Sequence, residues 1–344
     1  MVALIDGKDI SKTYYVGSLF SKKAIKALKG VSIKVEEGRT HCIVGESGSG
    51  KSTLARIMAL IERPDHGVLN IFGYDSSKYY NGDLEVETIK FIRRNIQMVF
   101  QDPYSSLNPR KRVKEILTKP FKVYGTAYSE DVIRDLLRNV GLEPPEEFLD
   151  KYPHQLSGGQ RQRITIARAL SLLPKIIILD EPTAALDMTI KEQIMNLLME
   201  LKVKYNLTYV LISHEVPIIT RVCDDVTVLY HGKVVEVCDN NTFKTPVHPY
   251  SIGLLSSILA PLPKSRFKEV FTIPGEPPSQ STSITGCVFA SRCPLVTEIC
   301  KKEEPELIKI RDGHMVACHM FNAEMLSNYI NYKESLLRKW KEML

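Results

Sequence analysis

The stretch from Gly45 to Ser52, Gly-Glu-Ser-Gly-Ser-Gly-Lys-Ser, has the residue types and spacing that hold a phosphate. In the pattern G-x4-G-K-[ST] the backbone N–H groups turn inward on an anion, and glycines permit both the turn and the close approach. Gly45, Glu46, Ser47, Gly48, Ser49 and Gly50 form the loop, and Lys51, Ser52 and Thr53 open what reads as a helix. Lys51 is placed to reach the β and γ phosphates and Ser52 to ligate Mg²⁺ through its hydroxyl, with the helix presenting its positive end. A flexible Gly/Ser turn is the plainer reading, but the apolar run Cys42-Ile43-Val44 and the helical pattern after Lys51 supply strand, loop and helix in the required order.

Further residues have types suited to phosphoryl chemistry. Asp180 and Glu181 end the apolar run Ile176-Ile177-Ile178-Leu179, where Asp180 suits a Mg²⁺ water shell and Glu181 suits polarising an attacking water. His214 ends a similar run, Thr208 to Ser213, and is placed to hydrogen-bond a γ-phosphate. Gln101 follows Met98-Val99-Phe100 at a strand's carboxyl end, where ligands gather in open α/β sheets. In Leu156-Ser157-Gly158-Gly159-Gln160, Ser157 is a good N-cap and the glycines leave the first N–H groups of a helix open to an anion. Tyr14 is an aromatic ring able to stack on a purine, and its sequence context reads as an early loop.

These residues must be positioned by a sheet. The continuous apolar runs read as buried parallel strands. The first forty or so residues alternate instead, as in Val31-Ser32-Ile33-Lys34-Val35, and suggest a small antiparallel sheet. From Tyr104 to about Leu156 a helical pattern is interrupted by Pro109, Pro120, Gly125, Pro144-Pro145 and Pro153, which predicts several short helices and no coiled coil. Val226 to Leu229 and Lys233 to Val237 flank His231-Gly232 as a terminal hairpin.

With 344 residues, 25% charged and 44% hydrophobic, the chain predicts a large globular unit with an appendage. No apolar run reaches the length that spans a bilayer and no secretory signal is visible, so a cytosolic chain is expected. The net charge of +6 is spread along the chain, with no dense basic stripe of the kind nucleic acid requires. Seven cysteines in such a chain predict no disulfide framework, and Cys42, Cys223 and Cys238 read as core residues.

Taken together, Gly45 to Ser52, Gln101, Leu156 to Gln160, Asp180-Glu181, Ala185-Leu186-Asp187 and His214 resemble the motif set of ATP-binding cassette (ABC) ATPases. The resemblance implies an α/β P-loop NTPase core over residues 1–240, with an antiparallel β subdomain and a helical subdomain near 104–170. It also implies MgATP hydrolysis, with Glu181, His214 and Gln101 catalytic, Ser52 and Gln101 on Mg²⁺, and Tyr14 aligned with the adenine-stacking aromatic. Two such cassettes meet head to tail, so Ser157, Gly158, Gly159 and Gln160 would face a partner's ATP.

Tyr104-Ser105-Ser106-Leu107-Asn108-Pro109-Arg110, Tyr152-Pro153-His154, Pro246-Val247-His248-Pro249-Tyr250 and Pro274-Gly275-Glu276-Pro277 narrow the resemblance to the second ATPase subunit of dipeptide/oligopeptide importers. Glu215 departs from the aspartate usual after the histidine. That group implies a paralogous ATPase subunit, two transmembrane permease subunits and an extracytoplasmic solute-binding protein as partners, at the cytoplasmic face of the membrane. Its members move peptides or oligosaccharides. Soluble cassette ATPases of translation or DNA repair are the rival class, but they carry two cassettes or a long coiled coil.

Residues 241–265 then form a helical linker and 266–344 a small C-terminal domain. Cys287, Cys293, Cys300 and Cys318 in that domain suit an iron–sulfur cluster or Zn²⁺, and the resemblance favours 4Fe-4S.

Overall fold

The computed structural model describes residues 2–18, 21–184, 186–256, 273–282, 284–321 and 329–343. Ala185 and residues 257–265 of the expected linker lie outside the described residues. Strands β1 (Ala3–Ser18), β2 (Ser21–Glu36), β4 (His66–Ile71) and β5 (Tyr74–Asp75) form an antiparallel sheet in the order β2-β1-β4-β5. Strands β3 (Thr40–Val44), β6 (Ile96–Val99), β7 (Ile176–Asp180), β8 (Thr208–Ser213), β9 (Asp225–Tyr230), β10 (Lys233–Asp239), β11 (Ile308–Arg311) and β12 (His314–Val316) form the second, in the order β11-β12-β10-β9-β3-β8-β7-β6. Its section from β9 to β6 is parallel.

The β-branched, uninterrupted runs suit strands buried on both faces. Ile176 and Ile178 of β7 pack with Ile5, Ile33 and Leu54 between the two sheets, whereas Ile177 and Leu179 face the opposite core with Leu198 and Leu137. Alternation along a strand therefore feeds two cores from one sheet.

The expected short helices between strands β6 and β7 are present as Pro103–Ser106, Val113–Tyr124, Glu130–Asn139, Glu146–Leu149 and Gly158–Leu170. Pro120 lies inside Val113–Tyr124 and does not end it, because Leu117 and Phe121 are held in the core on either side. Tyr14 lies in β1, paired with Ile25 of β2, and not in a loop, because the alternating pattern continues past it. The β9–β10 hairpin is not terminal. Strand β12 pairs antiparallel with β10, and β11 pairs with β12, so the tail extends the main sheet.

That junction is sealed by a buried carboxylate. Glu236 of β10 accepts from the Val247 and His248 backbone N–H groups at 2.8 and 3.1 Å and from His314 Nε2 of β12 at 2.7 Å. Nδ1 of His314 accepts from Arg311 Nε at 3.3 Å, which leaves Nε2 to donate to Glu236.

Cys42 of β3 and Cys223 lie in the core as expected, but they are disulfide-bonded, with Cα atoms 5.8 Å apart, a pairing that was not expected. Their 181-residue separation gives no local sequence signal of the pairing. Cys238 is a buried free thiol.

Burial pushes His41, aided by the nearby Arg39 charge, and His248, against the pull of Glu236, down from 6.5 to about 4. Their depressed folded values mean that the unfolded chain takes up protons first as the pH falls. The stability they contribute is complete above pH 6.5 and is lost between 6.5 and about 4, at about 3 kcal/mol each. Denaturant midpoints measured across that window should fall steeply, and a flat profile would contradict the buried neutral state.

Candidate functional site

The phosphate-loop backbone is shaped by contacts that exclude side chains. Gly45 sits at φ 158° and a Cβ there would collide with the Leu229 carbonyl, while at Gly50 (φ 106°) it would collide with the Ala27 carbonyl. Gly50 immediately precedes the helix Lys51–Met58, whose N-terminus is thereby left without a side-chain cap and open toward the loop.

Lys51 is buried, and its Nζ donates to the Gly45 and Glu46 carbonyls at 2.8 and 2.7 Å and to Ser49 Oγ at 3.4 Å. Burial lowers its pKa, and the Glu181, Asp180 and Glu46 charges oppose that shift. Ser52 Oγ donates to Asp180 Oδ1 at 3.0 Å. Burial raises the Asp180 pKa, while the Ser52 hydrogen bond pulls it down and the adjacent Glu181 charge adds to the rise.

Glu181 follows β7 in a left-handed conformation, φ 45°, with its N–H donated to the Ile212 carbonyl of β8 at 3.0 Å. Its carboxylate lies between two of the expected partners: Oε2 accepts from Gln101 Nε2 at 3.2 Å and Oε1 is 3.2 Å from His214 Nδ1. Tyr14 is fixed by its hydroxyl, which donates to Glu62 Oε2 at 2.6 Å and lies 3.3 Å from Thr53 Oγ1. Burial raises its pKa, and the Glu62 hydrogen bond adds to the rise.

Gly45 through Thr53, Tyr14, Gln101, Glu181 and His214 line one cleft of about 640 Å³. Asp180 lies beneath it, reached through Ser52. Ala27, Leu254 and Gln280 also line the cleft. Sequence reasoning missed these three, because none belongs to a motif and two come from beyond the β9–β10 hairpin.

The residues Ser157 to Gln160 do not line it. Ser157 Oγ accepts from Gln160 N at 3.2 Å and Gln160 Oε1 accepts from Ser157 N at 3.0 Å, a reciprocal cap at the start of Gly158–Leu170. Gly159 must be glycine for packing, since a Cβ would stand 2.8 Å from Ile190 Cγ2.

The residues fit MgATP. Glycines clear a cradle for a polyphosphate, a buried ammonium faces it, and the Ser52 hydroxyl, Asp180 carboxylate and Gln101 amide offer the oxygen donors that a hard cation prefers.

The family model described as "ABC transporter" matches residues 28–184, and "Oligopeptide/dipeptide transporter, C-terminal region" matches 235–300. The oligopeptide transport ATP-binding protein AppF of Bacillus subtilis is 42% identical, over 93% of this chain and 98% of its own length. This chain belongs to the ABC transporter family. The di/tripeptide transport ATP-binding protein DppF of Pseudomonas aeruginosa is also 42% identical, with the same coverage. A solved ATP-binding cassette, dimeric in a post-hydrolysis state bound to ADP and Pi, superposes with a TM-score of 0.59 at 33% identity, covering 69% of this chain and 98% of that one.

The protein is therefore an ATP-hydrolysing subunit of an ABC importer, peripherally associated with the membrane. No helix among the described residues is long and apolar enough to cross a membrane.

Two expectations are corrected. The oligosaccharide alternative is not favoured, since the relatives carry oligopeptide and di/tripeptide transport names. The four-cysteine cluster domain and its 4Fe-4S or Zn²⁺ centre are not supported: among the described residues, which include Cys287, Cys293, Cys300 and Cys318, no group of three or more His, Cys, Asp or Glu could hold a metal ion. The cysteines behave as small apolar residues. Cys287 and Cys293 pack against the main core, and burial pushes the thiols of Cys287, Cys293 and Cys318 up, Cys293 to about 12 and Cys318 to about 11.

Gly50→Ala tests the cradle. Its Cβ would have to displace the Ala27 carbonyl, at about 1–3 kcal/mol of overpacking, so fluorescent MgATP analogue titrations should show binding weakened at least tenfold.

Proposed function

We propose that this chain is the ATPase subunit powering peptide uptake, paired with a paralogous ATPase subunit beneath two permease subunits that receive solute from an extracytoplasmic binding protein. Peptide as cargo is supported by the names of the relatives. Pairing is supported by the dimeric state of the solved cassettes and by the exposed position of Ser157, outside the chain's own cleft.

The observation that carries the catalytic reading is Glu181, held between Gln101 and His214 at the mouth of the phosphate cleft. Lys51 and the loop N–H groups bind and orient the phosphates, so most of the catalysis is positioning and electrostatic stabilisation. Glu181 orients and polarises the attacking water, while Gln101 and His214 hold its carboxylate in place. Ser52 and Gln101, with Asp180 behind, would hold Mg²⁺, which when bound would supply charge that neutralises the phosphate oxygens. Tyr14 offers its ring to the adenine and Ser157 to Gln160 complete the partner's site.

Tyr104 is 55% exposed, with Arg161 over its ring at 4.9 Å, three residues after Gln101. This exposure supports a Tyr104 to Arg110 segment that docks on the permease and relays the state of the cleft.

Glu181→Gln removes the charge and keeps the shape. Nucleotide titration should be unchanged, and phosphate release should fall by at least about 100-fold; hydrolysis at the unaltered rate would refute the role. Affinity purification from the native membrane should recover two permease subunits and a second, distinct ATPase chain, whereas recovery of this chain alone as the only ATPase would replace the heterodimer with a homodimer.

A further inference from the structure

All three polar groups of one loop residue, Glu46, are occupied by protein. Its carbonyl accepts from Lys51 Nζ at 2.7 Å, and its N–H donates to the Tyr250 hydroxyl at 2.7 Å. Its carboxylate is gripped by Arg292, with Nη1 2.7 Å from Oε2 and Nη2 3.2 Å from Oε1. Two of these partners, Tyr250 and Arg292, lie beyond the β9–β10 hairpin.

Arg292 is itself built in. Its side chain is 5% exposed and also donates to the Pro274, Ile273 and Gly275 carbonyls at 3.0, 3.3 and 2.8 Å. Tyr250 is fully buried and packs on Tyr230 and Phe289, with ring centroids 4.6 and 5.4 Å away. His248 Nδ1 accepts from Tyr250 N at 3.1 Å, and the neighbouring His248 N–H is held by Glu236, the carboxylate that also anchors β12. A continuous hydrogen-bonded path thus runs from the tail strands to the phosphate loop.

The charge logic gives this path a consequence. A carboxylate in a loop that receives a polyanion opposes binding, and in a partly buried site that repulsion is poorly screened. The fork-to-fork geometry of Arg292 both neutralises Glu46 and holds it still. Lysine cannot reproduce that grip, because it offers a point charge without the planar pair of donors.

We propose that Arg292 is a positioning residue for the phosphate loop, by which the C-terminal region sets this chain's affinity for MgATP. The inference rests on the reading of Gly45 to Ser52 as the nucleotide site. A double-mutant cycle on the full chain tests it, with a fluorescent MgATP analogue as probe and melting temperature followed in parallel. Arg292→Ala should raise Kd about tenfold and Arg292→Lys by an intermediate factor. In a Glu46→Gln background, Arg292→Ala should change Kd by less than about twofold, because no uncompensated carboxylate remains. A merely structural role predicts the same loss in both backgrounds, and that result, or an unchanged Kd in Arg292→Ala, overturns the proposal. Should Arg292→Ala fail to fold, the same cycle run with Arg292→Lys decides it. Failure of the unaltered chain to bind the probe would overturn the loop assignment itself and this inference with it.

Discussion

The site depends on the register of four parallel strands. Val44 of β3 lies opposite Ser213 of β8, and Asp180 of β7 lies opposite Ile212 of the same strand. The phosphate loop, Glu181 and His214 therefore leave the sheet at one edge, within reach of one another. Because both faces of these strands are buried, a slip of one residue would drive every side chain into the wrong core, so hydrophobic packing fixes the register that the chemistry uses. The long side chains Gln101 and His214 close the last few ångströms to Glu181.

That geometry gathers more negative charge than positive around Lys51. Glu46, Asp180 and Glu181 all act on it, while burial works to neutralise it. Asp180 meets the opposite demand, its burial favouring the protonated form. Neither group reaches its best environment within the protein alone. A hard cation would supply the positive charge that Asp180 and Glu181 lack, and the phosphates it carries would give Lys51 an acceptor in place of the loop carbonyls, so the cleft is complementary to a cation-bound polyphosphate and not to a bare anion.

Much of this was legible in the sequence, for identifiable reasons. Phosphate binding restricts backbone conformation, and that restriction writes glycines at fixed intervals; Gly45 and Gly50 are required by collisions with carbonyls of Leu229 and Ala27. Buried parallel strands leave apolar runs that end where function begins, which placed Gln101, Asp180-Glu181 and His214. The contacts that were not legible join residues far apart in the chain through side chains common in any protein. Arg292 reaches Glu46 across 246 positions, and Glu236 reaches His314 across 78. Tyr14 was misplaced by local context, although its pairing with Ile25 continues the alternation of the strand.

The tail shows why clustering in sequence is weaker evidence than a motif with a mechanism. Four cysteines fall close together, yet their spacing imposes no backbone geometry comparable to the phosphate loop, and a small apolar side chain suits the same positions. Meanwhile the tail's ordinary residues are tied to the cassette at several places, among them β12 on β10 and Arg292 on Glu46. Removing either anchor alone would leave the other, so the strand pairing keeps the tail beside the phosphate loop even in a chain whose charged contact is removed by substitution.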